Sequence, residues 1–287
     1  MNVFAILSNP SKPIKLTLTE YEKQTKREYP YCQKKDNDIK SYALCPDCNN
    51  PIQLVNRYSK TTKSNTLYAR HVLGSVAGIA NYSQTNYDNC ELKNPTRFDE
   101  KIRRKPGKKT NSLKLMFEQH IDLIISQLEK QLPIKLSDNT IKSMIADFIK
   151  NKGYEYRAVN VYNMPLAFAY LTEAQDLYGC FIKNPTMAAG IKMHSQAFET
   201  SITKYKNFVI KRVKPAFKLR FFFSNHQIPT NNNTVSEEQI TLNIIEYDES
   251  IDNSRTLYTQ NISIDKTMFF NTLQKRYRLQ QWIRDSN

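Results

Sequence analysis

The feature that most constrains the fold is the run Cys45-Pro46-Asp47-Cys48. Two thiols separated by two residues sit on one tight turn and can point at a single tetrahedral cation. Zn2+ then needs two more soft or borderline donors, and His71 and Cys90 follow within the same stretch. Cys45, Cys48, His71 and Cys90 are therefore the candidate Zn2+ ligands, with Cys32 as a competing fourth ligand in place of His71. A disulfide framework is not expected in a chain read as intracellular, and no βαβ pattern surrounds the pair as a redox Cys-x-x-Cys requires. A closed set of four ligands is structural. It would stabilise a stretch that has too little apolar area to fold on a core of its own.

The expected fold class is α+β: a small zinc-stabilised N-terminal β module followed by a mixed helical and antiparallel-sheet body. Residues 1–96 carry all the cysteines but Cys180, with turn-forming Asn, Pro and Ser and little helical periodicity. Residues 97–111 form a basic linker, because Arg103-Arg104-Lys105-Pro106-Gly107 joins like-charge repulsion to a Pro-Gly break. The body spans 112–287. Helices are expected over 112–205, mainly strands over 207–264, and a last helix over 265–285.

Within the body, Leu113, Phe117, His120, Ile121, Ile124 and Leu128 recur at helical spacing up to Pro133. Ser137 or Asp138 can cap a second helix, Tyr154–Tyr162 has strand composition, and further helices are expected near 164–178 and 185–205. Asn184 caps the last of these, with Pro185 at its first position. From Phe208 the period shifts to two. Phe217, Leu219, Phe221 and Phe223 share one strand face and Lys218, Arg220 and Phe222 the other. Asp265 caps a final helix carrying Phe269, Leu273, Tyr277 and Trp282.

The passage Ala43-Leu44-Cys45-Pro46-Asp47-Cys48-Asn49-Asn50-Pro51-Ile52, with Tyr68-Ala69-Arg70-His71, resembles the zinc-ribbon-like start of CoiA-type competence proteins. The resemblance covers about thirty residues and implies a zinc ribbon paired with a restriction-like nuclease domain. Such a nuclease needs an Asp and a Glu-x-Lys on neighbouring strands to hold Mg2+. The one Glu-x-Lys triplet, Glu91-Leu92-Lys93, directly follows Cys90 and lacks strand character. No zincin, nucleophile-elbow, phosphate-loop or dinucleotide motif occurs. His120 on an apolar helix face is expected as a core histidine, His194 and His226 have no identifiable partner, and Cys180 is expected as a buried thiol. Glu173 and Asp176 are expected as a solvated pair on one helix face. No catalytic residue is assigned.

Charge points instead to a partner. The chain carries 42 Lys plus Arg against 27 Asp plus Glu, a formal charge of +15, which is expected to attract a polyanion, nucleic acid first. The surplus is local. It gathers at Arg103, Arg104, Lys105, Lys108 and Lys109, then at Lys211, Arg212, Lys214, Lys218 and Arg220 beside Phe222, and last at Lys275, Arg276 and Arg278. These are the candidate nucleic-acid-binding residues, with the cations on phosphates and Phe222 stacking a base. The resulting expectation is a zinc-containing, cytoplasmic DNA- or RNA-binding protein without a membrane partner, a non-catalytic subunit working with other proteins in nucleic-acid processing or defence. The alternatives are a metal-dependent nuclease with a zinc ribbon and an adaptor that binds an acidic protein.

Overall fold

The computed structural model describes residues 1–35, 38–59, 64–93, 96–228 and 238–286. The protein is mixed α+β with antiparallel sheets, and it divides into two units. The first comprises residues 1–95 and 265–287 together with 229–237; the second comprises 96–228 and 238–264.

In the first unit the hairpin β1 (Val3–Ile6) and β2 (Asn9–Lys15) leads through α1 (Leu18–Thr25) to β3 (Cys32–Lys35), β4 (Asp38–Leu44), β5 (Pro51–Ser59) and β6 (Ser64–His71). These strands form one sheet in the order β2-β1-β4-β5-β6, with β3 also paired to β4. Thr17 starts α1 by accepting the Glu20 N–H, and Lys26 ends it in the left-handed region. Ala5, Tyr42, Leu44, Val76 and Ile79 form a buried cluster. Gly78, at φ +72, closes the turn under Val76, where an added Cβ would meet Pro30 at 2.6 Å. A short helix, α2 (Gln84–Asp88), follows; its cap Ser83 accepts the Asn86 N–H.

The second unit opens with Phe98, 1% exposed. Helices α3 (Lys108–Gln119) and α4 (Ile121–Gln131) then replace the single run expected up to Pro133. The backbone breaks at His120, a buried residue that ends one helix and begins the next. After β7 (Ile134–Lys135), Ser137 caps α5 (Asp138–Lys150) through the Thr140 N–H. The rings of Phe117, Phe148 and Phe168 meet at centroid distances of 4.6–5.6 Å and fill this core.

Residues 154–162 are not a strand. Asn160 Oδ1 accepts the N–H groups of Tyr162 and Asn163, so side-chain turns occupy the backbone that a strand would pair. Helix α6 (Met164–Tyr170) stops eight residues short of the expected end because Gln175 and Asp176 form β8. The Gln175 amide donates to Asp147, and Asp176 is not on a helix face with Glu173. After β9 (Phe181–Ile182), Asn184 caps α7 (Pro185–His194). The second half of the expected helix is instead strand β10 (Phe198–Ile202), paired with β11 (Phe208–Arg212). Ser195 makes the switch, its Oγ accepting the N–H groups of Ala197 and Phe198. Strands β12 (Phe217–Gln227), β13 (Gln239–Asp248) and β14 (Asn253–Ser263) form a sheet in the order β14-β13-β12-β8.

The stretch 97–111 is not a bare connector. Arg103 bridges to Tyr156, and Lys108 begins α3, so this segment is part of the second unit. Helix α8 (Met268–Asp285) belongs to the first unit rather than to the body. Its N-cap is Thr267 rather than Asp265, whose Oδ1 accepts the Thr267 and Met268 N–H groups; Phe269, Phe270 and Leu273 are buried, and the Asn271 amide donates to the Pro13 carbonyl. Trp282, on the same helix, is 61% exposed.

Candidate metal centre and basic surfaces

Three segments of the first unit converge on one point. Cys45 and Cys48 lie on the turn between β4 and β5, His71 ends β6, and Cys90 follows α2. The turn is tight because Asn49 N–H donates to the Cys45 carbonyl and Asn49 itself takes a φ of 57. Ile52 pairs with His71 across β5 and β6, and this register brings the imidazole over the turn. The ligand atoms of all four residues lie within 4.8 Å of one another. Cys45 Sγ is 3.6 Å from Cys90 Sγ, and His71 Nε2 is 3.3 Å from Cys48 Sγ and 3.6 Å from Cys90 Sγ. A tetrahedral ion with Zn–S bonds of about 2.3 Å and a Zn–N bond of about 2.0 Å sets such edges at roughly 3.5–3.8 Å. The donor set and its spacing fit a metal ion.

The electrostatics agree. Cys45 is pushed up to about 12, chiefly by its hydrogen bond with Cys48 and then by burial. Cys48 is held far below the ordinary thiol value by hydrogen bonds from Cys45 and Cys90, with smaller help from His71. Cys90 is driven up in turn by Cys45 and Cys48. Thiols this close cannot all ionise against one another; a cation between them lets all three do so.

The surroundings hold the ligands in place. Asn50 spans the site: its amide nitrogen lies 3.5 Å from Cys48 Sγ and donates to the Ser83 carbonyl, while its Oδ1 accepts the Ser83 N–H at 2.7 Å. Asp47 accepts the Glu91 N–H at 2.6 Å, tying the turn to the segment that carries Cys90. Tyr87 meets the His71 ring edge-on at 5.1 Å, and Lys93 lies over Tyr87. None of these supports was legible beforehand, since a lone Asn, Asp or Tyr carries no spacing signal. Cys32 stands apart on β3 beside Ser41 and Tyr21, so it is not the fourth ligand. Glu91-Leu92-Lys93 occupies a turn, with Lys93 paired to Asp88 at 2.9 Å.

The basic residues have diverse surroundings. Arg104 is turned inward, donating to the carbonyls of Tyr156 at 2.7 Å, Arg157 at 3.0 Å and Val159 at 2.6 Å. Arg103 pairs with Glu155 at 3.1 Å and lies over the Tyr156 ring. The internal contacts of Arg104 are ones that a run of like charge does not disclose, whereas Arg103 stays exposed. Lys105, Lys108 and Lys109 are exposed around the start of α3, and Lys211 and Lys214 are exposed beside β11. Arg212 sits near Asp176 and the Tyr178 ring, and Lys218 pairs with Glu249. Arg220 lies over Tyr247, and Phe222 is half-buried. On α8, Lys275 and Arg278 are exposed and Arg276 is half-buried.

The remaining polar candidates are accounted for by the core. His226, 1% exposed, has partners after all: Phe98 N–H donates to its Nδ1, and its Nε2 lies 3.2 Å from Glu238. Cys180 is buried against Thr140. Glu246, 3% exposed, is a buried carboxylate that no pattern announced; it accepts from Ser195, Gln196 and Ala197 and pairs with Arg255. Among the described residues no helix is long and apolar enough to cross a membrane. No family model, curated protein or solved structure matches this chain.

Proposed function

We propose that Cys45, Cys48, His71 and Cys90 hold Zn2+ and that the protein binds nucleic acid, as a non-catalytic subunit of a larger DNA- or RNA-processing or defence assembly. Three sulfurs and an imidazole are the donors this ion prefers, and four protein ligands leave no coordination position for substrate. The ion's contribution is then to stability, joining the β4–β5 turn, the end of β6 and the segment after α2.

The observation that carries the nucleic-acid reading is the exposed cationic surplus. Arg104 is engaged internally, yet Arg103, Lys105, Lys108, Lys211, Lys214, Lys275 and Arg278 remain exposed in a chain of charge +15. Such side chains neutralise phosphates and displace condensed counterions, so affinity falls steeply with salt.

Two measurements test this. Elemental analysis of the purified protein is expected to give one zinc per chain, retained in Cys32→Ser and lost in Cys48→Ser and Cys90→Ser. Titration with labelled DNA and RNA over a range of salt concentrations is expected to show a steep negative salt slope. Lys211→Glu with Lys214→Glu should weaken binding. A flat salt slope, or no binding to either polymer, overturns the nucleic-acid reading.

A further inference from the structure

The sheet β12-β13-β14 has two faces of opposite character. On the inner face Leu219, Phe221 and Phe223 meet Ile240, Leu242 and Ile244, all buried. Helices α6 and α7 lie on this side: Tyr170 of α6 is beside His226, and Gly190 of α7 faces Tyr258. The outer face is built from the alternate residues. In register across the strands, Lys218 lies beside Tyr247, Arg220 beside Ile245, and Phe222 beside Asn243 and, one strand further, Thr259. Every one of these keeps part of its surface in solvent. An outward face with a half-exposed Phe and two cations is not required by the packing of the unit, whose core lies on the other side.

Charge on this face is mixed: Asp252 accepts the Tyr247 hydroxyl at 2.7 Å, while Asp176 and Glu249 stand beside Arg220 and Lys218. The rows that cross the three strands at Lys218, Arg220 and Phe222 hold no carboxylate. The nearest acids lie at the rim. Asp176 of β8, in register with Arg220, accepts the Tyr178 N–H at 2.8 Å and sits 3.9 Å from Arg212, while Glu249 pairs with Lys218. Exposed Lys214 approaches the same strand end, its Nζ 5.7 Å from the Phe217 ring centroid. Arg220 lies over Tyr247 at 5.5 Å, which holds its guanidinium along the sheet surface, two residues from Phe222 on the same face.

This arrangement selects among nucleic acids. A broad three-stranded face cannot enter the major groove as a helix or a two-stranded ribbon does. An aromatic ring standing on a sheet offers a stacking plane, and only an unpaired base has a free π-face to lay on it. Arg220 one row away and Lys218 two rows away, both on the same side of Phe222, are placed for phosphates of the strand leading from that base.

We propose that this outer face binds single-stranded nucleic acid, with Phe222 stacking an unpaired base and Arg220 and Lys218 neutralising phosphates to one side of it. The proposal rests on the nucleic-acid reading above and deepens it by naming the strand state and the surface.

The test is fluorescence anisotropy of the full chain with labelled oligo(dT), oligo(U) and a blunt DNA duplex of matched length at one salt concentration. The single strands are expected to bind at least about tenfold more tightly than the duplex. Phe222→Ala is expected to lose roughly 5- to 100-fold on the single strands, the effect of one stacked base, with little change on the duplex. Urea midpoints check folding. Should Phe222→Ala unfold, Phe222→Leu keeps apolar volume without the stacking plane and carries the same expectation. Equal affinity for duplex and single strand, or a Phe222→Leu variant that folds and binds like the parent, overturns the proposal and leaves a general polyanion surface. Absence of binding to all three probes overturns the nucleic-acid reading as well.

Discussion

The Phe98 backbone N–H donates to Nδ1 of His226 at 2.9 Å, while the two rings stack with centroids 4.0 Å apart. The residues are 128 positions apart, and both are buried. Because Nδ1 accepts, the ring proton sits on Nε2, which faces Glu238 at 3.2 Å. Imidazole 15N–1H correlation spectra are expected to show the Nε2–H tautomer. His226→Phe keeps the stacking but strands the buried Phe98 N–H, and is expected to cost about 1–3 kcal/mol in chemical denaturation.

Glu246 and Arg255 form a pair whose two halves differ in worth. The carboxylate is 3% exposed and also accepts from the backbone of Gln196 and Ala197, whereas the guanidinium is 47% exposed. Solvent screening limits what Arg255 contributes, so Arg255→Ala is expected to cost only about 1 kcal/mol. Glu246→Ala leaves inward-facing donors without an acceptor and should cost about 3 kcal/mol or more. Equal losses in urea denaturation would show that the ion pair, and not the backbone anchoring, dominates.

Tyr21 gives the first unit a dependence on alkaline pH. Burial, followed by the neighbouring Cys32, holds its phenol well above the ordinary value of about 10, and its hydroxyl lies 2.9 Å from the carbonyls of both Tyr31 and Tyr42. The folded state therefore keeps this proton when the unfolded state gives it up. The resulting stability is complete below pH of about 10 and is lost as pH rises toward the folded value. Thermal scans are expected to show a falling Tm above that pH, with the slope reduced in Tyr21→Phe.

Arg104 separates structure from binding. Its fork reaches three backbone carbonyls, a geometry that a single ammonium cannot reproduce. Arg104→Lys preserves charge, yet is expected to cost about 2 kcal/mol while leaving the salt slope of nucleic-acid binding unchanged. A reduced slope in a folded Arg104→Lys protein would place this side chain on phosphate.

Metal removal should act on one unit. Chelation is expected to lower the melting transition of the first unit, which contains all four ligands, and to spare the second, whose core is the Phe117, Phe148 and Phe168 cluster. Scanning calorimetry with and without chelator, and on Cys90→Ser, checks this. A shift of both transitions together would contradict it.

The four-residue Cys and His cluster and the two-faced strand 217–223 were legible in the amino-acid order, as were the caps at Ser137 and Asn184. Each is a short-range signal: a turn that aims two thiols together, a period of two, a side chain that reaches the next turn's N–H. Tertiary structure alone decided the rest. Gln175 and Asp176 left a helix-like run to pair with Phe221 and Arg220, Arg104 turned from a surface charge into an internal clamp, and α8 joined the first unit. His226 found Phe98 across 128 residues. Local preferences of a few tenths of a kcal/mol per residue yield where distant segments bury apolar surface and complete each other's hydrogen bonds, at about 1 kcal/mol or more per group.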